Sequence, residues 1–275
     1  MADVRLSGGV WEYEDTGGSG PVLVLLPGLG MDGSVYRKLV PLLSDDYRCV
    51  VPTLPLGSHR QPAAPDADLS VAGLAELQAE LLAALDLRDV TLVGLDSGAF
   101  QLTAARHPDR LARLVILPCE AFENFPPGLP GKNLALAARL PGGIALAAAA
   151  IRLRPLRRLP IAYGPMTKRP VPVPVTDRWT EPLRRPEIRR DLRRYLRSCR
   201  RGDMLAAAEE LRSFTKPALV AWAAEDRMMP RAHADRFAAL LPDARLVEIP
   251  DSSTLIPEDN PGALAEALRG FLAST

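Results

Sequence analysis

The sequence predicts an α/β fold, a mostly parallel sheet with helices on both faces, interrupted once by a helical lid. Three observations predict it. Short apolar runs alternate with segments of helical period over residues 22–118 and again over 217–273, the pattern of parallel strands joined by crossover helices. Between those stretches the chain turns basic and proline-rich, with ten prolines from Pro126 to Pro174. Finally, an apolar run at 90–93 passes directly into Gly94-Leu95-Asp96-Ser97-Gly98 and then into a small-residue helical segment. A chain of 275 residues suits one cored domain with an insertion rather than two independent cores.

Taken in order, residues 1–20 are acidic and polar, without a basic start followed by an apolar run, and predict an opening β-hairpin rather than a secretory leader. Residues 22–26 and 47–51 read as buried strands, each stopped by proline-containing turns. Apolar residues recur at helical spacing over 69–85, with Asp68 and Ser70 as candidate caps. The strand at 90–93 is followed by a helix at 99–106, ended by His107-Pro108, and by a strand at 114–117. The lid is expected over 119–213, dominated by basic helices such as 184–200. The core resumes at 214–275 with strands at 218–222 and 244–249 and helices at 231–241 and 261–273.

Composition excludes several classes. The most apolar stretch, 134–151, is broken by Arg139 and Pro141-Gly142-Gly143, far short of the ~20 apolar residues a membrane span needs, so no membrane partner is expected. The three cysteines, Cys49, Cys119 and Cys199, are widely separated and suit buried thiols of a cytoplasmic protein better than disulfides or a metal site. No Cys/His cluster, phosphate-cradling Gly-Lys loop or aromatic-laced basic stripe is present, so neither metal, cofactor nor nucleic acid is expected. Net charge is +1, yet residues 120–212 are at +10 and the remainder at −9. That asymmetry fits either steering of an anionic partner or an Arg-rich solvated surface.

Gly94-Leu95-Asp96-Ser97-Gly98 between a strand and a helix is the nucleophile-elbow pattern, in which flanking glycines allow a sharp turn that projects one side chain above the sheet. With it, the chain resembles the α/β-hydrolase superfamily, in the branch of epoxide hydrolases and haloalkane dehalogenases that carry aspartate at the elbow. The resemblance covers nearly the whole chain. It implies that Leu25-Leu26-Pro27-Gly28-Leu29-Gly30 is the oxyanion loop, with the amides of Leu29 and Ser97 facing a cavity. It also implies that Asp226, in Ala221-Trp222-Ala223-Ala224-Glu225-Asp226-Arg227, is the triad acid. The family's histidine would fall on Thr254, in Asp251-Ser252-Ser253-Thr254. Thr254 therefore stands where the imidazole belongs.

An elbow aspartate needs no neighbouring base to be nucleophilic, because its reference pKa is about 3.9. Hydrolysing the resulting ester does need one. Of the three histidines, His107 is expected at a helix end and His233 on a solvated helix face, which leaves His59, in the loop after the second strand, as the candidate replacement base. The lid carries two tyrosines, Tyr163 and Tyr195, for which the resemblance implies acid roles and packing is the alternative, and a further aromatic, Trp179. Trp179 either lines the pocket or anchors the lid. The halide-cradling tryptophan of dehalogenases would follow the nucleophile, where this chain has Ser97. The expectation is an enzyme acting through Asp96 on a small, mainly apolar molecule, by epoxide- or ester-type hydrolysis. Non-hydrolytic acid–base chemistry (lyase, isomerase, dehydratase or cyclase) by an Asp96/Asp226 pair, or ligand binding alone, are the alternatives. The sequence leaves the oligomeric state open.

Overall fold

The computed structural model describes residues 1–200 and 202–274. Strands β1 (Ala2–Leu6) and β2 (Gly9–Asp15) form the opening hairpin, and β2 lies antiparallel to β4 (Arg48–Pro52). From β4 onward the sheet is parallel: β4 pairs with β3 (Val22–Leu26), then follow β5 (Val90–Asp96), β6 (Leu111–Cys119), β7 (Ala218–Ala223) and β8 (Ala244–Ile249). The eight-stranded order β1-β2-β4-β3-β5-β6-β7-β8 means the chain first winds outward from β3 to β4, then returns to the other side of β3 with β5. That reversal opens a crevice beyond the carboxyl ends of β3 and β5, where parallel sheets bind ligands.

Every residue of β5 and β7 is buried, as befits central strands covered on both faces and the continuous apolar runs that encode them. The helices are α1 (Val40–Leu43), α2 (Val71–Ala84), α3 (Phe100–Arg106), α4 (Gly128–Arg139), α5 (Gly143–Ile151), α6 (Val173–Thr180), α7 (Pro186–Ser198), α8 (Asp203–Leu211), α9 (Arg231–Leu240), α10 (Ile256–Asp259) and α11 (Pro261–Leu272). Ser70 caps α2, its hydroxyl accepting from the Gly73 amide at 3.1 Å. Among the described residues no helix is long and apolar enough to cross a membrane.

Two differences from the sequence reading matter for the site. Strand β6 runs to Cys119, because Leu111 pairs with Val90 and Cys119 with Asp96. The strand therefore delivers Glu120 to the same level as the elbow, rather than into the lid. Helix α8 packs against α3 beside the sheet, while α4 to α7 with the short 3-10 turns between them cover the carboxyl ends of the strands.

The cover is fastened to the core by polar contacts. Arg178 of α6 donates to the fully buried Asp32 at 2.5 Å, and Trp179 Nε1 donates to Ser34 Oγ at 2.8 Å. Asp191 of α7, also fully buried, accepts from the Ala63 amide at 2.9 Å. Trp179 has no exposed surface and its carbonyl accepts from Ser58 Oγ at 2.8 Å. Of its two expected roles, the anchor is the one this environment provides, since it is absent from the cavity wall.

Candidate active site

A cavity of about 270 Å³ lies between sheet and cover, with Leu29 and Gly30 from the loop after β3, Asp96 and Glu120 from the ends of β5 and β6, Tyr163 from the cover and otherwise mostly apolar side chains. Asp96 closes β5 at a sharp turn with φ of +61°, a left-handed conformation that costs a non-glycine residue strain. Its floor position depends on Gly28, where an added Cβ would lie 2.3 Å from Asp96 Cβ and Oδ2. The Leu29 amide donates to Asp96 Oδ2 at 2.9 Å. No hydrogen bond within the protein engages Oδ1 among the described residues, which leaves that oxygen to the cavity.

The Ser97 amide does not join Leu29. It donates to the Leu95 carbonyl at 2.7 Å across the tight turn, so of the two amides expected to face the cavity as oxyanion donors only that of Leu29 reaches the Asp96 carboxylate. The next amide, Gly98, donates to Glu120 Oε2 at 3.3 Å, and Tyr195 Oη donates to the same oxygen at 3.2 Å. Glu120 is thus fixed through one oxygen, as Asp96 is. The Glu120 amide also donates to the Asp96 carbonyl at 2.7 Å, tying the two acidic residues together by their backbones.

Both carboxyls are poorly hydrated. Burial raises Asp96 to about 7, against the lowering effect of the Leu29 amide and with a further upward push from Asp226. Burial, followed by the charge of Asp96, raises Glu120 to about 8, against the lowering effect of its two hydrogen bonds. Burial pushes both carboxyls up, so near neutrality the pair favours one ionised and one protonated carboxyl. Glu120 was missed by the sequence reading, which ended the strand at Leu117; an acid directly beyond an apolar strand neighbouring the elbow was the available signal.

Asp226 lies behind this floor and not on the cavity wall. Its Oδ1 accepts from the amides of Met228 and Met229 at 2.7 and 2.9 Å and from Thr254 Oγ1 at 2.9 Å, and burial raises it to about 6. Its buried Oδ2 has no hydrogen-bond partner among the described residues. Thr254, fully buried, fills the space beside the acid. Asp226 is close enough for its charge to push Asp96 up, while the second carboxyl on the cavity wall itself is Glu120.

The remaining predicted residues go elsewhere. His59 is buried away from the cavity wall, its Nδ1 accepting from the Gly57 amide at 3.3 Å and its Nε2 facing Asp191 at 3.5 Å. Nδ1 is held within its own loop and Nε2, without a hydrogen bond among the described residues, faces Asp191 of the lid, so the ring is turned to the lid and lies off the cavity wall where a base for Asp96 would stand. His233 is buried rather than solvated, set edge-on to Phe122 at 5.1 Å with its pKa lowered by burial. His107 sits at the end of α3, 2.9 Å from Glu76. Tyr163 does line the cavity, yet its hydroxyl donates to the Gly30 carbonyl at 2.9 Å, and Tyr195 is spent on Glu120. Neither lid hydroxyl points free toward a substrate. The three cysteines are unpaired.

A profile of the alpha/beta hydrolase family matches residues 23–267. The chain belongs to the α/β hydrolase family. Haloalkane dehalogenases are among the proteins it is similar to. It is 34% identical over 137 residues to a haloalkane dehalogenase of Mesorhizobium japonicum, covering 47% of this chain and 43% of that enzyme. The sequence match thus spans less than half the length of that relative. A second relative, the cis-3-alkyl-4-alkyloxetan-2-one decarboxylase of Xanthomonas campestris, is 29% identical across 98% of this chain and 94% of its own. Among solved structures, a haloalkane dehalogenase of Bradyrhizobium elkani superposes with a TM-score of 0.80 at 19% identity, covering 98% of this chain and 96% of that one. In this α/β hydrolase, Asp96 sits at the elbow and no histidine lines the cavity among the described residues.

Proposed function

We propose that Asp96 opens a small, mainly apolar electrophile of epoxide or ester type, and that Glu120 serves first as acid and then as base in its hydrolysis. The observation that carries this reading is the pair of carboxyls at the apolar cavity floor, each held through one oxygen, with opposite protonation favoured near neutrality. Asp96 Oδ1 attacks an electrophilic carbon of the substrate while Oδ2 stays on the Leu29 amide. For an epoxide, the ring C–O bond breaks and the leaving oxygen takes the proton of Glu120, which gives an ester on Asp96 and a carboxylate on Glu120. With Asp96 esterified, the charge that helped to raise Glu120 is gone, so its ionised form becomes easier to hold. Glu120 then takes a proton from water as the water oxygen adds to the ester carbonyl. The product alkoxide leaves with the remaining proton of that water, which restores the Asp96 carboxylate and the Glu120 acid. This order of proton movements is the one used by paired carboxyls elsewhere in double-displacement hydrolysis.

A second reading, non-hydrolytic acid–base chemistry on a strained oxygen ring, draws support from the absence of a cavity imidazole and from the near full-length likeness to a decarboxylase acting on an oxetanone. The experiment that separates them offers a panel of epoxides, alkyl halides, esters and β-lactones in ¹⁸O-labelled water. Hydrolysis through Asp96 puts label into the Asp96 carboxylate, read by peptide mass spectrometry, and Asp96→Asn lowers turnover by about 10⁴-fold or more. Product formed without label in either product or Asp96 sinks the hydrolytic reading in favour of the second, and neither product nor adduct with any class leaves only a binding protein.

A further inference from the structure

We propose that the outer face of the lid docks on an anionic lipid surface. The sequence reading expects no membrane partner because no segment can span a bilayer, but lying on one sets a different requirement: exposed apolar side chains flanked by cations. Of the ten large hydrophobic side chains with high exposure among the described residues, seven fall within residues 129–161. In α4 they are Leu129 and Leu136, 60 and 58% exposed, two full turns apart and so on one stripe of the helix, with Leu140, 52% exposed, directly after its end. Leu146 in α5 is 73% exposed, and Leu153, just beyond that helix, is 60% exposed.

Charge identifies the occupant. Residues 124–176 contain eight Lys+Arg and no Asp or Glu. Lys132, Arg139, Arg152 and Arg158 are all exposed and enter no ion pair among the described residues. A symmetric pairing of two copies through this face would set the same uncompensated cations against one another, whereas a negatively charged headgroup layer complements them and accepts the leucines between its chains. Ile161 joins the surface to the site, being 54% exposed and part of the cavity wall. A docked lid therefore places an exposed apolar side chain of the cavity wall toward the acyl region, from which an apolar substrate would enter.

The test is sedimentation of the full-length protein with vesicles of phosphatidylcholine alone or mixed equally with phosphatidylglycerol, at low and high salt. The expected result is binding to the mixed vesicles only, weakened by salt. Replacing Lys132, Arg139, Arg152 and Arg158 together by glutamine lowers the association by about 100-fold, and the L136S/L146S variant loses it while keeping the parent's melting temperature. No association with mixed vesicles at low salt overturns the proposal, as does undiminished binding by L136S/L146S. A concentration-dependent dimer that L136S/L146S turns into a monomer, without vesicle binding, assigns the face to a second copy instead.

Discussion

A carboxylate in a dry cavity is a weak ion, and its chemistry follows from what remains to stabilise its charge. Asp96 retains one amide, from Leu29, and Glu120 retains one amide and one phenol, so neither is desolvated without compensation. If Asp96 acts ionised and Glu120 protonated, turnover rises as pH passes about 7 and falls as it passes about 8, and the pH–rate profile checks this directly. Glu120→Gln is expected to slow ester release by about 10²-fold or more and so to accumulate the Asp96 adduct, visible as a mass increment in the intact protein. Stability follows the same groups with a definite sign. An unfolded carboxyl loses its proton near pH 4, whereas folded Asp96 and Glu120 keep theirs to about 7 and 8. Between these limits the native state binds more protons than the unfolded state, so stability falls as pH rises. Asp96→Asn, which cannot ionise, should therefore melt above the parent at pH 8, by on the order of 2 kcal/mol of stability, with little difference at pH 4. A parent at least as stable at pH 8 as the variant would contradict the raised pKa.

At the scale of the element, the elbow works because strand β5 stops where helix α3 must begin, with only small residues between them. Gly98 shows how little room there is: a Cβ there would meet Met204 Sδ at 2.2 Å and the Glu120 carbonyl at 2.7 Å. The sulfur can move, being near the end of a flexible side chain, but the carbonyl belongs to the strand end that carries Glu120. Gly98→Ala is expected to cost about 1–3 kcal/mol, read by denaturant unfolding, and to reduce activity beyond what the stability loss explains, since it presses on one of the two acidic residues. The same crowding accounts for helix α8 staying beside α3: Met204 and Gln101 are both buried there, in contact at 3.8 Å.

Over the whole molecule, the lid is held down by buried charges rather than by an apolar seam alone. Asp191 brings together the Ala63 amide, His59 and Arg190, and it carries contacts from α7 to the loop that follows β4. Removing one member of such a buried cluster strands the others without partners. Asp191→Ala should therefore destabilise by roughly 3 kcal/mol, and limited trypsin digestion should cut first within the arginine-rich 184–200 segment. Unchanged melting and cleavage would mean that the apolar contacts of Trp179 and its neighbours suffice. His59 belongs to this fastening, which is why a residue placed close to the cavity by sequence order does not serve it.

Local sequence by itself determined the alternation of strands and helices, the opening hairpin, the Ser70 cap and the turn that exposes Asp96, since each depends on periodicity, turn chemistry or steric permission within a few residues. The order of the sheet's strands came from pairing between segments as far apart as Leu114 and Ala218, and the pairing of β3, β5 and β6 brings together Leu29, Asp96 and Glu120, distant from one another in the sequence. The partners of polar side chains were likewise settled only in three dimensions. His59 could serve as a base or hydrogen-bond within its loop on sequence grounds, and the two lid tyrosines could face substrate or protein. Tertiary packing decided because a buried polar atom must find a partner wherever the fold places one, and that choice depends on distances that local sequence does not encode.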